Sequence, residues 1–154
     1  MPDLVVENLL FAFPDDWQVG KYDDWQFYRK HVIPMKVGLK AVDVLACSPG
    51  GIAYLIEVKD YRRHPHTKPT EIGDEFTDKV LCTLAGKVLT AKSLRLVLHL
   101  EQPKKSSRLF PRSIDPASVQ QKVRQRLKAV DPRAIVTDMH RMGNLGFRVS
   151  SRVF

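Results

Sequence analysis

The sequence predicts an α/β fold in the α+β sense: one mixed sheet with helices packed on it. Three observations predict it. The runs Lys40–Cys47 (KAVDVLAC) and Ile52–Lys59 (IAYLIEVK) flank Ser48-Pro49-Gly50-Gly51, a strong turn signal, and so read as a β-hairpin. Residues 74–92 place Phe76, Val80, Leu84 and Val88 four apart, the stripe of an amphipathic helix. Leu94–Leu100 (LRLVLHL) is a nearly continuous apolar run of strand length. A hairpin followed by a helical crossover into another strand joins antiparallel and parallel pairing in one sheet.

The remaining elements follow in order. Pro2–Phe13 is apolar nearly all round and reads as a short buried helix, ended by Pro14, Asp15 and Asp16. Trp25–Ile33, rich in aromatic and β-branched residues, reads as a strand. Residues 62–72 carry two prolines without periodicity and form a loop, as does the basic stretch 102–112. Asp115-Pro116 supplies an N-cap and a first-turn proline for a helix to Val130, with Val119, Val123 and Leu127 on its buried face. Residues 134–138 and 147–154 are short strands. The predicted order is α, β, β, β, α, β, α, β.

With 154 residues, 44% of them hydrophobic, the chain is long enough to bury a core as a single domain over residues 1–154. No apolar run approaches the roughly 18 to 20 residues of a membrane span, so no membrane partner is expected. The first 13 residues lack the basic start and small-residue cleavage site of a secretory signal. Cys47 and Cys82 are isolated and read as free, buried thiols. Together these features predict a cytoplasmic protein.

Charge is unevenly distributed. Residues 1–60 hold 6 Lys/Arg and 9 Asp/Glu, and residues 61–154 hold 19 and 8, for an overall net charge of +8. A basic half suits a polyanion, whose phosphates release condensed counterions when neutralised, although it also suits plain solubility. The acidic half needs its own explanation.

That explanation begins on the predicted hairpin. Glu57 and Lys59 are two apart on a strand and share a face. Across the turn, Asp43 interrupts AVDVLA and can approach them. Burying such groups among Val, Ile and Leu is costly unless they are paired or bind a metal. Two converging carboxylates suit Mg2+, which takes one or two carboxylates, a carbonyl, waters and phosphate oxygens. A neighbouring lysine can orient an attacking water or stabilise charge on a phosphorane.

Asp43, thirteen intervening residues and Glu57-Val58-Lys59 resemble the signature of the PD-(D/E)xK nuclease superfamily, an Asp followed on the next strand by Glu-x-Lys. The texture AVDVLACSPGGIAYLIEVKDY is similar to its nuclease-related and Holliday-junction-resolvase-like branches. The resemblance implies a restriction-endonuclease-like α-β-β-β-α-β core over residues 1 to about 100. It implies Mg2+ or Mn2+ held by Asp43, Glu57 and the Val58 carbonyl, with Lys59 beside the hydrolytic water. Glu7 matches the acidic residue often given by the first helix, and Lys79 the Lys or Gln of the helix after the third strand. Val42 stands where the family has proline. A homodimer is a further expectation from the resemblance.

Other residues carry less. Arg62, Arg63 and Lys68, with His64 and His66, lie just beyond the site and suit phosphate contacts, as do Lys104, Lys105 and Arg108 in the later loop with Arg112. Lys122, Arg124 and Lys128 read equally well as a phosphate clamp or a solvated helix face. Trp17, Trp25 and Tyr28 suit base stacking or core packing. Taken alone, Glu57 and Lys59 could be a surface ion pair, and Lys79 fits a solvated face. The expected function is therefore a metal-dependent nuclease acting on DNA. The alternatives are a catalytically silent, nuclease-fold nucleic-acid-binding subunit of a larger complex, and a subunit whose basic surface meets an acidic protein.

Overall fold

The computed structural model describes residues 3–21, 42–62, 72–86, 93–102, 115–143 and 145–151. Strands β1 (Asp3–Val6), β2 (Leu9–Ala12) and β8 (Arg148–Ser151) form a small antiparallel sheet in the order β1-β2-β8. The main sheet is mixed, with β3 (Gln18–Lys21), β4 (Val44–Cys47), β5 (Ile52–Asp60), β6 (Ser93–Glu101) and β7 (Ile135–Thr137) side by side in that order. Helix α1 (Ile72–Gly86) joins β5 to β6, and α2 (Pro116–Arg126) lies between β6 and β7.

The predicted hairpin is present. β4 and β5 pair antiparallel, with Leu45 opposite Leu55. Their turn closes through Gly51 N–H to the Ser48 carbonyl at 3.1 Å, with Gly51 at φ +86°, a conformation that glycine adopts without steric cost. The crossover is also as predicted, since β5 pairs parallel with β6 and β6 parallel with β7. Asp115 caps α2, accepting the Ala117 N–H at 3.1 Å, and Pro116 occupies its first turn. The helix stops at Arg126, short of the predicted Val130.

The first predicted helix is not formed. Pro2–Phe13 contains a two-stranded hairpin, β1 and β2, turning at Glu7-Asn8. Leu9, Phe11 and Phe13 are buried while Leu10 and Ala12 are less so, the two-residue period of a strand. A segment apolar on both faces cannot be assigned to helix or strand by periodicity alone, and here Val5-Val6 and the alternating aromatics favour extended backbone. The short edge strand β3 was not foreseen, for Gln18-Val19-Gly20-Lys21 has a single large apolar residue. The strand predicted at Trp25–Ile33 and, apart from Arg62, the loop cations lie outside the described residues.

Two apolar clusters flank the main sheet. On one face Leu45, Leu55, Leu96 and Leu98 pack with Ile72, Phe76 and Val80 of α1 and Val119 and Val123 of α2. On the other, Val44, Ile56, Val58 and Val97 pack with Leu9 and Phe11 of the small sheet, and with Phe147 and Val149. Strand β5 is therefore covered on both faces, and Glu57, in its second half, is drawn fully into the interior.

Candidate active site

The site lies where β4 ends beside β5. The ladder runs as far as Val44 opposite Ile56. Beyond that pair the chain bends at Asp43, whose side chain replaces the missing backbone partner: Val58 N–H donates to Asp43 Oδ2 at 2.8 Å. The N–H and C=O of one strand residue point to the same side, so the Val58 carbonyl also faces the Asp43 edge.

Glu57 is 0% exposed. Neither of its carboxylate oxygens receives a well-directed hydrogen bond among the described residues. Its charge neighbours are Lys79 Nζ, 2.5 Å from Oε2, and the Asp43 carboxyl, close enough to share a proton. Burial first, and then Asp43, push the Glu57 pKa up to about 8, although Lys79 opposes them. Asp43 and Glu57 thus form a converging acidic pair, with Lys79 in direct contact with Glu57.

Lys59, on the same face of β5 as Glu57, pairs with Glu75 of α1 at 3.2 Å. Burial opposes its charge, but Glu57 and Glu75 outweigh that and hold the ammonium above its ordinary pKa. Lys59 is therefore a fixed cation rather than a base at neutral pH.

Glu7 reaches the site from the β1–β2 turn instead of a helix. It takes φ +54°, where a side chain is strained, and its Oε2 accepts the Asp60 N–H at 3.1 Å. Burial, with Asp43 and Asp60 nearby, raises its pKa against the pull of that N–H and of Lys59.

The structure thus gathers Glu7, Asp43, Glu57, Val58, Lys59 and Lys79 around the end of β5. Glu75 was missed by sequence reasoning, though its signal was present: it stands four residues before Lys79 on one helix face. Other predicted residues have different partners. Arg62 pairs with both oxygens of Asp60 at 2.9 and 2.8 Å and donates to Ser151 Oγ. Lys122 pairs with Asp74, and Arg124 donates to the Ala134 carbonyl. Trp17 stacks on Tyr54 with ring centroids 5.1 Å apart. Cys47 is half-buried against the helix-side core. Arg63, Lys68, Lys104, Lys105 and Arg108 lie outside the described residues, as do His64 and His66.

Among the described residues no three His, Cys, Asp or Glu side chains converge as a ready-made metal cage. The donors present are two carboxylates and a main-chain carbonyl, with buried Glu57 oxygens that lack hydrogen bonds. That set fits Mg2+ or Mn2+, which complete their coordination with water and phosphate oxygens. It does not fit a structural zinc site.

No family model matches the sequence. No solved structure matches it either. An alignment over 169 positions, taking in 77% of the chain, is 28% identical to a cysteine–tRNA ligase of Neisseria meningitidis. The chain spans about a quarter (24%) of that relative's length.

Proposed function

We propose that the protein is a metal-dependent nuclease that hydrolyses phosphodiester bonds, acting on DNA as an endonuclease. The observation that carries this reading is the buried, hydrogen-bond-poor Glu57 carboxylate converging with Asp43, beside the fixed cation Lys59. A fully buried carboxylate pressed against a second acid is costly even with the Lys79 ammonium beside it, and a divalent ion would offset that cost. The mixed sheet, with Asp43 just before β4, Glu-x-Lys on adjoining β5 and a crossover helix after them, supports a PD-(D/E)xK-like core, here with a hairpin in place of the first helix.

Asp43, Glu57 and the Val58 carbonyl are the groups that would hold Mg2+ or Mn2+. A bound divalent ion would supply charge neutralisation at the scissile phosphate. Lys59, kept protonated, orients the attacking water and stabilises negative charge as it develops on the phosphoryl oxygens. The basic half of the chain holds the nucleic-acid backbone.

The test is cleavage of plasmid, linear and branched DNA with Mg2+ or Mn2+. Transfer RNA belongs in the panel because the aligned relative is named for it. Asp43→Asn and Lys59→Met should each lower cleavage by about 10^3-fold; activity surviving both changes would exclude this site.

A second reading rests on the Lys79–Glu57 ion pair, which already gives the buried acid a counter-charge. It describes a silent nucleic-acid-binding subunit of a larger complex. Salt-sensitive, EDTA-insensitive binding without turnover would establish it.

A further inference from the structure

Helix α1 and strand β5 face each other through four charges. Glu57 and Lys59 are two residues apart on the strand, a separation of roughly 6.6 Å. Glu75 and Lys79 are four apart on the helix, a rise of about 6 Å. One helical turn therefore matches one strand repeat, and the pairs cross with opposite signs: Lys79 with Glu57 at 2.5 Å, and Glu75 with Lys59 at 3.2 Å. At the Glu57 end the carboxylate is fully buried and the Lys79 side chain is 21% exposed. The other end is partly open, with side-chain exposures of 18% for Lys59 and 34% for Glu75.

This crossing solves a geometric problem. Lys59 shares a face with Glu57 and lies near Asp43, so its ammonium is attracted toward both carboxylates. A lysine collapsed onto them would occupy the space between the acids. Glu75 offers a carboxylate on the other side, while Lys79 takes up Glu57.

Glu75 can do this because α1 is itself held in place. Its neighbour Asp74 pairs with Lys122 at 3.3 Å and with Arg126, both on α2. Gly73 lets the Lys122 side chain come close, for a Cβ at that position would stand 3.1 Å from Lys122 Cδ. Thr77 Oγ1, buried, donates to the Gly73 carbonyl at 2.8 Å.

We propose that Glu75 is a positioning residue that holds the Lys59 ammonium away from Asp43 and Glu57, so that the lysine is aimed at the reacting phosphate. This rests on the nuclease reading for its catalytic consequence, but the placement of Lys59 can be measured without turnover.

The experiment compares the full chain with its Glu75→Gln and Glu75→Asp variants. In metal-free protein carrying 13C-methylated lysines, the Lys59 resonance, assigned by its loss in Lys59→Met, should shift in Glu75→Gln. With Glu75→Asp, which keeps the charge, it should lie between the two. In the cleavage assay Glu75→Gln should lower kcat by about 100-fold with KM nearly unchanged, the signature of a misplaced group rather than lost binding, and Glu75→Asp should recover part of that loss. Thermal melting establishes that each variant is folded. An unmoved Lys59 resonance in folded Glu75→Gln overturns the positioning role, as does unchanged kcat in an enzyme that Lys59→Met inactivates. Cleavage that survives Lys59→Met would instead remove the nuclease reading and leave the resonance to decide the positioning role alone.

Discussion

The two faces of the main sheet each bury a carboxylate, and the two are treated differently. On the face toward the small sheet, Glu101 is 4% exposed, and its Oε1 accepts the Met139 N–H at 2.6 Å and lies 2.9 Å from His99 Nε2. His99 in turn packs edge-on against Phe11. On the helix face Glu57 is fully buried without a directed hydrogen bond. Asp131 behaves like Glu101, accepting the N–H groups of Leu96 and Arg133 at 2.9 Å each. Hydrogen-bonded acids act as fasteners between segments of chain. An acid left with only charge neighbours makes a poor fastener.

This contrast can be broken or sharpened by experiment. The largest effect should come from Glu57→Ala, which lowers cleavage by about 10^3-fold while leaving a folded protein; cleavage and melting assays on one preparation report both. Glu101→Ala should do the reverse. It strands the Met139 N–H and His99, costing about 3 kcal/mol of stability by denaturant titration, with cleavage per folded molecule retained.

A smaller effect separates the two acids by pH. Folded Glu57 keeps its proton to about pH 8, whereas its ordinary pKa is 4.5. Between those values the unfolded chain binds fewer protons than the folded one, so metal-free stability falls as pH rises and levels off above pH 8. The decline should amount to a few kcal/mol, at about 1.4 kcal/mol per pKa unit, and Glu57→Gln should flatten it. Added Mn2+ should restore stability at pH 8 in the wild type but not in that variant. The smallest change, about 1 kcal/mol on melting, is expected from Asp115→Ala, which removes the α2 cap and touches neither acid.

The strand pair and its acids were legible because short-range signals determine them. Ser48–Gly51 sets the turn, the two-residue period puts Glu57 and Lys59 on one face, and Asp43 falls where β4 runs out. Both helices were legible from four-residue spacing and a cap. The first hairpin was not, because Leu and Val on both faces erase the period that separates helix from strand. Glu7 carries a charge that marks it in the sequence, but the helix expected around it is a hairpin turn. The His99–Glu101 contact joins residues two apart on β6, yet its partner Met139 comes from a distant segment that no local pattern indicates.

The parallel pairing of β5 with β6 bears on how this site comes into being. Ile52 lies beside Ser93, Asp60 beside Glu101, and the Glu7 turn reaches Asp60 across 53 residues. Such contacts give a high contact order, and the chain should fold on the slow side for its size. The β4–β5 hairpin needs only a short loop and can close early, but Glu75 and Lys79 arrive only when the crossover docks. An acidic pair that meets before Lys79 docks would resist compaction. Refolding of the metal-free protein should therefore slow as pH rises toward 8, and quicken when divalent ions are present from the start.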